Sequence, residues 1–152
     1  MRSVSPDLKP GLGVLDVGAG TGCVTFMSLA ASGAPVHAVG PARAMRSSLM
    51  TRLAALPGNR RARVTVHPHT LDEAALRRVS DVAVCHNAVA CMNPAARRAL
   101  WPALAEALVP GGVLLVQLPP AVVPPRRIKR VLPTRRVGQH AGVGIRRAVG
   151  AN

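Results

Sequence analysis

Residues 14–22 read Val14-Leu15-Asp16-Val17-Gly18-Ala19-Gly20-Thr21-Gly22, a short apolar run with an acid near its end, then glycine at every second position. The apolar run predicts a buried strand over Gly13–Val17. Thr21–Ala31 predicts a helix, closed by Ser32-Gly33. Between them the glycines let the backbone turn tightly and approach a ligand with no Cβ in the way. The helix start then aims free N–H groups and its positive dipole end at the same spot. This layout builds a cradle for a nucleotide-like ligand, with Asp16 placed to hold a positively charged or hydroxyl-bearing part of it. A plain strand-to-helix turn does not call for three alternate glycines behind an acid.

The remaining chain repeats the alternation. Strands are predicted at Val36–Val39, Arg63–Val66, Asp81–Cys85 and Val113–Leu118. Helices are predicted at Ala42–Leu56, Leu71–Val79 and Ala95–Leu108. Pro57-Gly58 stops the first of these, and Pro102 lies inside the last, where only a kink or a restart accommodates it. Pro110-Gly111-Gly112 predicts a turn. The fold class is therefore α/β, a Rossmann-like doubly wound sheet with five predicted parallel strands and an irregular basic C-terminal tail. In such a sheet the site lies at the carboxyl ends of the strands, near the switch point between the first and fourth. The expected domains are residues 1–118 and a tail, 119–152, where five prolines and recurring basic pairs oppose long regular elements.

Charge and composition narrow the function classes. The net charge is +14 across 152 residues. The tail holds eight of the 20 Lys and Arg and none of the acids, leaving 12 bases against six acids in residues 1–118. A basic tail of this kind binds nucleic acid or stays solvated. With one Phe, one Trp and no Tyr, the chain has no aromatic platform on which bases would stack. No apolar run reaches the length of a membrane span, and residues 1–10 lack the apolar stretch of a signal peptide. The three cysteines, Cys23, Cys85 and Cys91, have no metal-type spacing and read as thiols of a cytoplasmic protein. His67 and His69 flank Pro68, but no carboxylate or cysteine pattern completes a metal site.

The glycine spacing departs from the dinucleotide fingerprint G-x-G-x-x-G, because position 23 is Cys and the third glycine comes early, at Gly22. The pattern Asp16-x-Gly18-x-Gly20-x-Gly22 instead resembles the first motif of the class I S-adenosylmethionine (SAM)-dependent methyltransferases. The resemblance covers residues 13–118. It implies SAM as cofactor, its methionyl end cradled by Asp16, Gly18, Ala19, Gly20, Thr21 and Gly22. It also implies that Val36–Met45 is the second strand and turn, where an acid usually binds both ribose hydroxyls and a Met packs near the adenine. Met45 matches, whereas Gly40 occupies the place of the acid. Thr70 and Leu71 stand where the family touches the adenine, and both also suit a helix cap and its staple. His86 and Asn87 follow the fourth strand, whose end approaches the cofactor's amino group and the substrate. His86 is the one candidate base, and Asn87 lacks the Asn-Pro-Pro-Tyr context of DNA amino-group methyltransferases. Leu108–Val116 resembles the link from the last helix to the fifth strand.

The resemblance implies a methyl transfer to a small-molecule acceptor. Relative to the family, the chain looks truncated at both ends. Two other readings stand beside it: a degenerate relative that binds SAM weakly or not at all, suggested by Gly40, and an RNA-binding or RNA-modifying protein that uses the tail. Oligomeric state is not legible.

Overall fold

The computed structural model describes residues 11–117. The expectations for the tail, 119–152, for residues 1–10 and for Leu118 lie outside the described residues.

Five strands form one sheet: β1 (Val14–Val17), β2 (Val36–Val39), β3 (Val64–His67), β4 (Ser80–Cys85) and β5 (Leu108–Val116). Their order is β3-β2-β1-β4-β5, with every neighbouring pair parallel. The direction of winding thus reverses between β1 and β4, the switch point where such sheets bind ligands. Helices α1 (Cys23–Ala31) and α2 (Arg43–Ala54) follow the first two strands, α3 (Gly58–Arg61) and α4 (Leu71–Ala74) flank β3, and α5 (Pro94–Ala107) leads into β5. A single 3-10 turn, Val89–Cys91, follows β4.

β1 is buried along its whole length, Asp16 included, and each face of the sheet carries its own core. On one face Leu29, Leu49 and Leu53 of α1 and α2 pack on Val14, Val36 and Ala38. On the other, Leu71, Leu100 and Leu104 pack on Leu15, Val17, Val39 and Cys85. Asn93 caps α5 by accepting the Ala96 N–H at 2.8 Å, and Pro94 takes the first helical position, where a missing N–H costs nothing. The helix runs on through Pro102 without a break.

Three expectations change. The helix expected over Leu71–Val79 ends after one turn, because Ala75 turns left-handed at φ 48° and Arg78 does the same. A short α3 follows Pro57 where only a stop was expected. The strand expected from Val113 already begins at Leu108. Ser80 pairs with Leu108 and Val82 with Val113, so residues 109–112 bulge out opposite Asp81 alone. Pro110-Gly111-Gly112 does turn there, with Gly111 at φ +82°, but as a bulge within a strand.

His67 has a partner of its own. Its Nε2 lies 3.2 Å from Nδ1 of His37 on the neighbouring strand, and the rings stack. Burial pushes both imidazoles below their usual pKa, and for His67 the charges of His37 and His69 add to this. Among the described residues, no three metal-ligating side chains converge, and no helix is long and apolar enough to cross a membrane.

Asp81, at the start of β4, tethers the chain entering β1. Its carboxylate accepts the N–H groups of Gly11 at 2.6 Å, Leu12 at 3.3 Å and Gly13 at 3.0 Å. Burial pushes this carboxyl up, but the bonds from Gly13, Gly11 and Leu12 together outweigh it and hold the pKa below its ordinary 3.8. A depressed folded-state pKa means stability that is present above pH 3.8 and lost as pH falls below it. Asp81→Ala is expected to lower unfolding free energy by about 1 kcal/mol at neutral pH by removing these hydrogen bonds, of which only the one from Gly13 is part-buried. Urea melts at pH 7 and pH 3 check this. The difference between wild type and variant should shrink at the lower pH.

Candidate ligand site at the strand carboxyl ends

The loop from Gly18 to Gly22 is shaped by its glycines. Gly18, Gly20 and Gly22 all have positive φ, at 76°, 55° and 95°. Gly18 and Ala19 both donate their N–H to the carbonyl of Val39, at 2.9 and 3.0 Å, which pins the loop across the end of β2. Gly22 closes the turn by donating to Ala19 at 2.8 Å and stands as the cap residue of α1. Among the described residues, the N–H groups of Gly20 and Thr21 have no backbone acceptor, so the loop carries donors to spare at a helix start.

The three glycines serve different ends. A Cβ at Gly18 would stand 2.5 Å from Cβ of Ala88, in the turn after β4. One at Gly22 would stand 2.5 Å from Cδ1 of Leu49. At Gly20 the nearest atom is Cε of Met45, at 3.6 Å. Packing thus explains two of the glycines. At Gly20 nothing stands closer than 3.6 Å, the neighbours being the half-exposed Met45 and the Gly18 carbonyl.

Helix α2 props the loop from outside. Arg52 donates to the Thr21 carbonyl at 2.6 Å and lies over the Phe26 ring, 4.1 Å from its centroid. Sequence reasoning missed this residue, since an arginine on a helix reads as a solvated face.

A crevice of about 240 Å³ opens beside the loop, walled by Gly18, Val39 and Pro41, by Thr70, Leu71 and Asp72, and by Cys91, Met92 and Asn93 after β4. Thr70 takes part in a capping box at α4, its N–H donating to Glu73 at 3.0 Å. Leu71 is a buried wall. A second, smaller hollow of about 10 Å³, room for one water, lies between Ala19, Gly20, Gly40 and Arg46. At Gly40 a Cβ would meet only the nitrogens of Ala19 and Gly20, at 3.7 and 3.9 Å, both ordinary contacts, so packing does not call for glycine there.

The predicted residues therefore gather on one edge of the sheet but not on one surface. Gly18, Thr70 and Leu71 line the crevice, while Ala19, Gly20 and Gly40 line the smaller hollow. Thr21 is exposed at the loop tip. His86 and Asn87 are exposed beyond β4 and border neither hollow, and Asn87 holds a left-handed φ of 55°.

Asp16 is not on the wall at all. It is 2% exposed, and the Thr25 hydroxyl donates to its Oδ2 at 2.6 Å. Burial raises its pKa, against the Thr25 hydrogen bonds and the charge of nearby His86, which lower it. It is a buried carboxyl beneath the cradle. Its field in turn adds to burial in raising the Cys85 thiol, which leaves that cysteine an inert part of the core.

Comparison with known proteins adds to this geometry. The model of the methyltransferase domain family matches residues 15–114. No curated protein matches the chain. Among solved structures, the glycopeptide N-methyltransferase MtfA complexed with S-adenosyl-L-methionine is 30% identical, with a TM-score of 0.62, over 74% of this chain and 44% of its own. A SAM-dependent methyltransferase from Mesorhizobium loti is 25% identical, with a TM-score of 0.55, over 68% of this chain and 44% of that one. One from Leishmania major, at 21% identity and a TM-score of 0.57 over 74% of this chain and 43% of that one, shares the fold. The chain spans less than half the length of each of these proteins.

Proposed function

Because this chain belongs to the methyltransferase domain family, we propose that it binds SAM across the carboxyl ends of β1, β2 and β4 and transfers a methyl group to a small-molecule acceptor. The observation that carries the reading is the cradle: a positive-φ loop with two spare N–H donors and a glycine, Gly20, whose open side no packing explains. The SAM complex of a protein 30% identical to this chain supports SAM as the cofactor.

In this reading the Gly20 and Thr21 N–H groups hold the methionyl end. Asp16 supplies a negative field under the positively charged parts of the cofactor. Met45, Thr70 and Leu71 receive the adenosine. SAM brings the reactive methyl on its sulfonium, and displacement is direct, so the protein need only position the partners and exclude water. No fixed catalytic dyad is required. His86, just past the end of β4, would be the base for an acceptor that must lose a proton, and its exposure fits a group that meets an incoming substrate. A cytoplasmic location goes with this reading. The domain would comprise residues 1–118, with 119–152 as a basic tail able to bring nucleic acid near.

A second reading, a non-catalytic relative, is favoured by one observation: Gly40 offers no carboxylate to a ribose. Calorimetric titration of the full chain with SAM decides between them. Micromolar binding is expected. A folded chain that takes up no SAM would leave the non-catalytic reading standing.

A further inference from the structure

The end of β2 carries no acid, but it does carry a charge. Arg46, in the first turns of α2, folds back so that its Nη1 donates to the carbonyls of both Gly40 and Pro41, each at 3.1 Å. The side chain is half-buried and forms one wall of the small hollow that it shares with Gly20 and Gly40. Among the described residues, the one ion pair joins Arg77 and Glu106, so no carboxylate neutralises Arg46. Ser47, the neighbouring polar side chain, is turned away and donates to the Arg43 carbonyl at 3.1 Å.

In nucleotide-binding sheets of this topology the residue at the end of the second strand, some 20 positions after the glycine loop, faces the ribose hydroxyls. Gly40 stands 20 residues after Gly20. We propose that Arg46 takes over the ribose contact, donating from its remaining guanidinium N–H groups to the hydroxyl oxygens where a carboxylate would accept from them. The two carbonyls hold its Nη1 beside Gly40. The contact is thereby inverted in sign. A site built this way favours negative charge at the ribose edge, whereas one built on an acid repels it. This inference rests on the cofactor reading above and specifies which residue holds the sugar.

The test titrates the full chain and its Arg46→Gln and Arg46→Lys variants with S-adenosylhomocysteine. Adenosine and adenosine 2′-monophosphate then compete for the site. Wild type is expected to bind S-adenosylhomocysteine, and to be competed for about tenfold better by the monophosphate than by adenosine. Arg46→Gln should weaken S-adenosylhomocysteine about tenfold and abolish the preference for the monophosphate. Arg46→Lys, which keeps the charge, should retain most of that preference. Wild-type binding that Arg46→Gln leaves unchanged would overturn the assignment while leaving the cofactor reading intact. Weaker binding with the same ratio of competitors in all three proteins would make Arg46 a brace for the Gly40-Pro41 turn and overturn it as well. A wild-type chain that binds no S-adenosylhomocysteine would sink the cofactor reading, and this assignment with it.

Discussion

Gly18→Ala is expected to destabilise the protein by about 2–4 kcal/mol, while Gly20→Ala, two residues away in the same loop, costs about 1 kcal/mol. Both positions have positive φ, so each substitution meets a backbone strain of roughly 1 kcal/mol. What separates them is the neighbour. At Gly18 the new methyl falls 2.5 Å from Cβ of Ala88, an atom fixed to the backbone with no rotamer to move through. Overpacking of this kind adds about 1–3 kcal/mol. At Gly20 the nearest atom is 3.6 Å away at the tip of Met45, which is free to swing. Urea titration of the two single variants measures the contrast. Adding Ala88→Gly to Gly18→Ala should recover most of the loss, because only the φ strain then remains. If the double variant is no better than Gly18→Ala, the Ala88 contact is not the cause. Ligand binding should follow the opposite order. The Gly20 methyl would stand beside Met45 in the loop proposed to cradle SAM, so this mildly destabilised variant is the one expected to lose SAM.

Asp16→Asn is expected to make the protein more stable and a poorer binder. The carboxyl is 2% exposed, and burial lifts its pKa above 3.8, so the folded state carries the charged form at a cost. As pH rises through 3.8 toward the raised folded value, the unfolded chain ionises first, and stability falls across that window. Asparagine keeps an oxygen for the Thr25 hydroxyl and removes the charge. A gain of about 1 kcal/mol at pH 7 is expected, shrinking toward zero below the ordinary carboxyl range. The affinity for SAM should meanwhile drop roughly tenfold, as expected for losing one opposite charge beneath the site at an effective dielectric near 20. Melts at pH 7 and pH 3.5, paired with calorimetry, separate the two effects. A variant that is less stable at pH 7 would show that the carboxylate holds the loop rather than burdening it.

How much of this was legible in the sequence differs by element. The strands were, since Val14–Val17, Val36–Val39 and Asp81–Cys85 are mostly apolar, mostly buried and ended by turn residues. Their alternation with helices left the strand order as the natural topology. The glycine loop was equally plain, because three positive-φ residues leave a signature no other residue writes. Helix α4 was overextended because Leu76 and Val79 continue the apolar spacing after Leu71, while nothing about an alanine at position 75 announces a left-handed turn. The start of β5 was hidden because Pro-Gly-Gly reads as a turn between elements, and only pairing with β4 makes it a bulge inside one. Arg46, Arg52 and Asp81 escaped for a common reason. Each acts on backbone groups distant in sequence or around a turn, whereas a charged residue in a string of letters looks solvated. Asp81 did leave one trace: it opens a strand in a sheet whose other incoming segment, Gly11-Leu12-Gly13, offers bare N–H groups.

The switch point between β1 and β4 also divides the chain unequally in entropy. Val14 pairs on one side with Val36 and on the other with Val82, a separation in sequence about three times longer. Closing the longer segment costs about 1 kcal/mol more chain entropy than closing the shorter. The crevice therefore lies across a seam, with one wall made of near neighbours in the chain and the other recruited from far along it. The contact of Gly18 with Ala88 is a stitch across that seam, and the glycine that shapes the cradle also joins the two halves of the sheet.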